Sequence, residues 1–219
     1  MNAHLKTEIE LLKNMLSHLS AEVESAVQNA VKSLADANRE LASGIIVNDM
    51  DIDTAEVRIE EECLKVMALY QPVAGDLRYV ITLIKVNAEL ERIGDLAVNI
   101  AERVLDLPEQ SLKDHAVPDF AVMAAEVRQM LKNALDSLIS RDALLALQVI
   151  NNDDKVDAIH RKNYHIAIQM AKKSPENVEI GLTLLAISRN LERIADCTTN
   201  ICEDVIYLEQ GKIVRHSQK

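Results

Sequence analysis

Residues 90–102 read LERIGDLAVNIAE, and residues 191–203 read LERIADCTTNICE. Eight of the thirteen positions are identical: Leu90, Glu91, Arg92, Ile93, Asp95, Asn99, Ile100 and Glu102 each return 101 residues later. Upstream, Ile46-x-x-Asp49-x-x-x-Asp53 is answered by Ile150-x-x-Asp153-x-x-x-Asp157 at an offset of 104. The cap-type residues Asp36 and Asn38 share that offset with Ser140 and Asp142. Three concordant correspondences define a duplicated unit, and the duplication decides the architecture.

The unit is helical. Leu5, Ile9, Leu12, Leu16, Leu19, Val23, Ala26, Ala30 and Leu34 recur at spacings near three and four, one apolar stripe over about thirty residues. Such a stripe packs along another long helix. Asp36 and Asn38 mark a break, and a second helix runs to about Tyr70. Gln71-Pro72-Val73-Ala74-Gly75-Asp76 reads as a tight connection with a new cap at its end, before a third helix to about Leu107. The stretch Pro108 to Pro118 lacks periodicity and holds two of the four prolines, so it reads as the linker. One helix then runs to about Ser140 and another from about Asp142 to Lys173. Ser174-Pro175-Glu176 starts the last helix, which reaches about Glu209, with a frayed tail beyond Gly211. The expected fold is all-α: two tandem, pseudo-symmetric three-helix bundles made of six long helices, residues 1–110 and 111–219.

Composition agrees. Apolar residues make up 48% of the 219, aromatics only 2%, and just five Gly and four Pro interrupt the chain. A formal net charge of −11 repels a phosphate backbone, and no basic stripe overcomes that field, so direct nucleic-acid binding is excluded. Cys63, Cys197 and Cys202 are too few for a disulfide framework and fit a reducing compartment as small core fillers. The first twenty residues mix Lys, Glu and His into their apolar positions, unlike a signal peptide or a membrane span. The longest apolar stretch elsewhere, Leu182 to Ile187, is too short to cross a bilayer, so no membrane insertion is expected.

Chemistry concentrates in carboxylates four apart, which share a helix face: Asp49/Asp53 with Glu91/Asp95, then Asp153/Asp157 with Glu192/Asp196. Counting outward from the connections shows that these pairs meet. Asp53 and Asp49 lie 20 and 24 residues before Val73, while Glu91 and Asp95 lie 18 and 22 after it. Asp157 and Asp153 lie 18 and 22 before Pro175, while Glu192 and Asp196 lie 17 and 21 after it. Antiparallel neighbours therefore bring each set of four to one level, within a few ångströms at about 1.5 Å per residue. Gathered carboxylates repel by roughly 3 kcal/mol per pair at about 5 Å and an effective dielectric near 20. Either they splay into water or a cation holds them.

Glu91, Asp95, Asn99 and Glu102 span about 80° of the wheel, opposite Val86, Leu90, Ile93, Ala97, Ile100 and Val104. Acids on such a face are ordinarily just solvated. Levelled pairs occurring twice point instead to a metal-binding patch on the bundle exterior. Oxygen ligands suit hard cations such as Mg²⁺, Mn²⁺ or Ca²⁺, and carboxylate-rich sites also take iron or Zn²⁺. Glu56 and Glu60 continue the second helix's face, where the other half has His160 and Tyr164. Arg92 and Arg193 either pair locally with the acid before them or steady a neighbouring helix.

The doubled motif, QPVAGDLR before its first copy and the upstream Asp-x-x-x-Asp segments closely resemble the PhoU family of phosphate-transport regulators, over nearly the whole chain. The resemblance implies metal ions on Asp49, Asp53, Glu91, Asp95, Asp153, Asp157, Glu192 and Asp196. It implies a cytoplasmic, non-catalytic homodimer that binds the ATPase of the phosphate ABC transporter and its partner sensor histidine kinase. In that role it restrains uptake and favours repression of the phosphate-starvation response. Gly94 becomes Ala195 in the second copy, and Asp76-Leu77-Arg78 has no clear counterpart, so the two sites need not bind metal equally. Two other readings compete. A di-iron or di-manganese carboxylate enzyme would place Glu-x-x-His on core-facing helices, and only Asp157-x-x-His160 faintly suggests one. A purely structural scaffold would leave its acidic faces solvated.

Overall fold

A computed structural model of the chain describes residues 3–108 and 120–212. It contains six helices: α1 (Ala3–Ala35), α2 (Arg39–Tyr70), α3 (Ala74–Asp106), α4 (Phe120–Ser140), α5 (Ala143–Lys173) and α6 (Asn177–Gln210). All but the first residue of the linker, and the tail beyond Lys212, lie outside the described residues. Asn38 caps α2 by accepting the Leu41 N–H at 2.9 Å, and Asp142 caps α5 by accepting from Leu144 and Leu145. These are the two duplicated breaks, each satisfying orphan donors of a first turn. The third helix departs from expectation. Its N-cap is Val73, which offers no side-chain acceptor, and Asp76 sits inside the first turn, where it complements the helix dipole.

Along α1 every residue of the expected stripe is buried except Ala26, whose place in the seam is taken by Val27. A period of 3.6 drifts off any fixed three-four count, so the larger neighbour turns inward. Packing then follows from the stripes. α1, α2 and α3 touch one another, as do α4, α5 and α6. The halves join through α3 against α6 and α1 against α4, so the helices run α2–α3–α6–α5 across one layer with α1 and α4 behind. One apolar core spans both halves along these shared contacts. Among the described residues, no helix is long and apolar enough to cross a membrane.

The α3–α6 seam is antiparallel, because partners run backward on α6 as α3 advances. Lys85 meets Asp204 at 3.0 Å and Asn200 donates to Glu89 at 3.2 Å. The seam thus brings the two copies of the motif to the same level. Within the second half, α5 and α6 approach closely at Gly181, where a Cβ would lie 3.2 Å from the Ala167 carbonyl oxygen. Backbone cannot swing aside as a side chain does. Gly181→Val is therefore expected to destabilise by about 2 kcal/mol, since overpacking outweighs the gain in helix propensity. A urea midpoint equal to wild type would contradict that closeness.

Candidate functional site

The acidic residues of the first half converge as the counting predicts. One carboxylate oxygen each from Asp49 and Asp53 on α2 and from Asp95 on α3 lie within 4.8 Å of one another. Among the described residues this is the one such group of three. Two oxygens on a single hard cation stand at most about 4–5 Å apart, twice a metal–oxygen distance, so the spacing fits one ion. Ile52, buried between the two aspartates of α2, packs toward Gly94 on α3. A Cβ on Gly94 would meet Ile52 Cγ2 at 3.2 Å and Asp49 Oδ1 at 3.6 Å. The missing side chain lets α2 settle against α3 at the level of the acids.

Their electrostatics are those of an uncompensated cluster. Partial burial, then the charges of Asp53 and Asp95, push the Asp49 carboxyl up to about 6. Glu91 is raised by burial and by Asp95, Asp53, Glu56 and Asp49, which places it on the same patch. Asp95 is raised by partial burial and by the charge of Asp53, although the residue is exposed overall. No arginine or lysine offsets these three shifts.

The second half gathers its acids more loosely. Burial and the charges of Asp196, Asp157, Glu192 and Asp154 push Asp153 up to about 6, so all four expected residues share one environment. No three of their oxygens reach the spacing seen in the first half. Here cations of the chain itself intervene. Arg161 reaches Asp157 at 3.5 Å, and Arg189, Arg193 and Arg92 counteract the upward shifts of Glu192 and Asp196. Arg92 belongs to the first half's motif, and its charge reaches Asp196 across the α3–α6 seam. Arg161 and Arg189 lie outside the duplicated motif. The signal was present: at the repeat offsets, Val57 and Ala88 stand where the second half has Arg161 and Arg189.

Beside each cluster a polar bridge ties the helices. Asn87 on α3 is buried and donates to the Glu56 carbonyl at 2.9 Å and its carboxylate at 3.1 Å. At the equivalent place Ser188 Oγ lies 2.9 Å from His160 Nδ1 and accepts from Asn163 at 3.0 Å. His160 is thus hydrogen-bonded, with its pKa lowered chiefly by burial. Cys63, Cys197 and Cys202 are buried, and burial pushes their thiols up to about 12, so they stay protonated fillers.

Comparison with known proteins gives a concordant picture. The PhoU domain family model matches the chain twice, over residues 16–104 and 120–205. A "Phosphate-specific transport system accessory protein PhoU homolog" from Aquifex aeolicus is 38% identical over 95% of this chain and 94% of its own length. PhoU homolog 1 from Thermotoga maritima is 33% identical over 96% and 91% respectively. The crystal structure of PhoU from Pseudomonas aeruginosa superimposes with a TM-score of 0.90 at 34% identity, covering 94% of this chain and 99% of that one. A phosphate transport system regulatory protein PhoU from Streptococcus pneumoniae gives a TM-score of 0.86 at 29% identity, covering 96% and 99%.

Proposed function

This chain belongs to the PhoU domain family, and on that footing we propose that it is an accessory regulator of phosphate transport in the cytoplasm. It restrains uptake and the phosphate-starvation response by binding the ATPase of the phosphate transporter and a sensor histidine kinase, and it works as a homodimer. The observation that carries this reading is the family match over both halves of the chain. Relatives of nearly equal length are named as accessory proteins of a phosphate-specific transport system, so the role extends to the whole chain.

Metal ions belong to the mechanism. Asp49, Asp53 and Asp95, with Glu91 beside them, would hold one hard divalent cation, and their all-oxygen donor set and spacing fit such an ion. Asp153, Asp157, Glu192 and Asp196 form a second, weaker site, because the arginines already offset part of their charge. A bound cation neutralises the exposed patch and fixes α2 against α3, so that a partner meets one shape. A di-iron enzyme has less support. Such enzymes line a bundle core with Glu-x-x-His, whereas Asp53 and Asp95 are exposed and His160 is tied to Ser188.

The test is capture of the purified transporter ATPase and of the kinase's cytoplasmic portion on the immobilised full chain, with Mg²⁺ or Mn²⁺ and then with EDTA. Retention of either partner, weakened at least several-fold by EDTA, is the expected result. Retention of neither partner under any condition would overturn the adaptor reading, and equal retention in EDTA would remove the cations from it.

A further inference from the structure

The outer edge of α2 carries a feature that neither the core nor the acidic patch uses. Val47, Met50, Val57 and Leu64 are 71%, 73%, 52% and 52% exposed. With Thr54 and Glu61, also exposed, they recur at alternating steps of three and four, the spacing of a coiled-coil seam about 26 Å long. This seam lies opposite the buried side of α2, formed by Ile45, Ile52, Ile59 and Val66. Single exposed apolar residues mean little, but four large ones in register form a patch that water disfavours. The duplication does not account for it. At the equivalent positions α5 has Asn151, Asp154, Ala158, Arg161, His165 and Ile168, one large apolar residue where α2 has four.

We propose that this seam docks on the same seam of a second copy of the chain, antiparallel about a two-fold axis level with Ile59. The proposal names the interface of the homodimer put forward above and rests on that reading. Charge singles out a second copy as the occupant. Asp51, Arg58 and Glu61 are exposed, and among the described residues none of them makes an ion pair or hydrogen bond within the chain. Turning α2 about that axis sets Leu64 against Thr54 of the second copy and Val57 against its Glu61. The same rotation brings Arg58 beside Glu61 of the second copy and Asp51 beside its Lys65, each pair occurring twice. Lys65 is half-exposed and held only by Glu62, one turn away at 2.9 Å, a surface pair that gives way easily.

On the other flank Glu60 faces its own counterpart, as Arg58 does on the first, and both like-charged pairs oppose association. The strip is also narrow, burying on the order of 1,000 Å² in total, the low end for a specific interface. A weak, micromolar dimer follows. Because only one half carries the seam, the contact is isologous and closes at two copies, without growing into a filament.

Sedimentation equilibrium of the full chain in Mg²⁺, from about 1 to 200 µM, tests this. Wild type is expected to pass from monomer to dimer, while the double variant Val57→Glu/Leu64→Glu stays monomeric at the highest concentration. Arg58→Glu alone should weaken the dimer about ten-fold, and adding Glu61→Arg to it should restore affinity to within about three-fold of wild type. Leu144→Glu, on the exposed face of α5, should change nothing. Circular dichroism confirms that each variant keeps its helices. A wild type that stays monomeric throughout overturns the dimer itself and leaves the seam to a different protein. A wild type that dimerises, together with a Val57→Glu/Leu64→Glu variant that dimerises equally, overturns this interface alone.

Discussion

Lys85→Met is expected to lower the free energy of unfolding by about 3 kcal/mol, one of the two largest effects foreseen for the chain. Asp204 on α6 is 2% exposed, and the Lys85 ammonium on α3 lies 3.0 Å from its Oδ1. The same ammonium sits 5.3 Å from the centre of the Tyr207 ring, which adds a cation–π attraction. Truncating the lysine leaves a carboxylate held in low dielectric without that counter-charge. The loss then includes the uncompensated desolvation of Asp204 as well as the value of the pair. Lys85 is itself 38% exposed and Asp204 has a further interaction of its own, and both keep the effect at the lower end of the range for a broken buried pair. Because the pair joins the halves, the damage reaches the seam that levels the two acidic clusters. Lys85→Met/Asp204→Leu should recover most of the loss, since apolar residues of similar size replace a buried pair with little penalty. Urea denaturation of the three variants decides it, and a midpoint unmoved by Lys85→Met would refute the argument.

What could be read in advance was whatever depends on local helix geometry. The α1 stripe, the caps at Asn38 and Asp142, and the meeting of Asp49 and Asp53 with Asp95 follow from 3.6 residues per turn and 1.5 Å per residue. Counting from a turn works because antiparallel neighbours inherit a common origin. The rest depends on contacts between segments with no short connection. Nothing in one dimension shows that α3 runs antiparallel to α6, so the reach of Arg92 to Asp196 and the Lys85–Asp204 pair were invisible. Arg161 and Arg189 were missed for another reason. A repeat is recognised by what its copies share, and neutralisation lies in where these two differ. On α2 the buried stripe and the exposed seam both repeat at helical spacing, and only the packing on α1 and α3 tells which is which.

In metal-free solution the chain is expected to be more stable near pH 5 than at pH 7.5, and divalent cations should reverse that order. Asp49 and Asp153 are each pushed up to about 6 from 3.8. The folded state therefore holds protons that the unfolded state has already released between these values. Stability is greatest below the unfolded value and falls as the pH rises through the folded one. Both groups are partly exposed, so solvent screening reduces the effect to about 1 kcal/mol each. A cation at about a hundred times its Kd adds about 2.7 kcal/mol, or roughly 5–10 °C in Tm for a chain of this size. That gain should shrink at pH 5, where protons compete for the same oxygens. Asp53→Asn/Asp95→Asn separates the causes by sign. In EDTA at pH 7.5 it should melt higher than wild type, because two repelling charges are gone. In Mg²⁺ or Mn²⁺ it should melt lower, because most of the cation's contribution is gone with them. A solvated acidic face predicts the first shift without the second. If the double variant gains as much from the cation as wild type does, the ion is held elsewhere, and the convergence of Asp49, Asp53 and Asp95 is only a shared helix level.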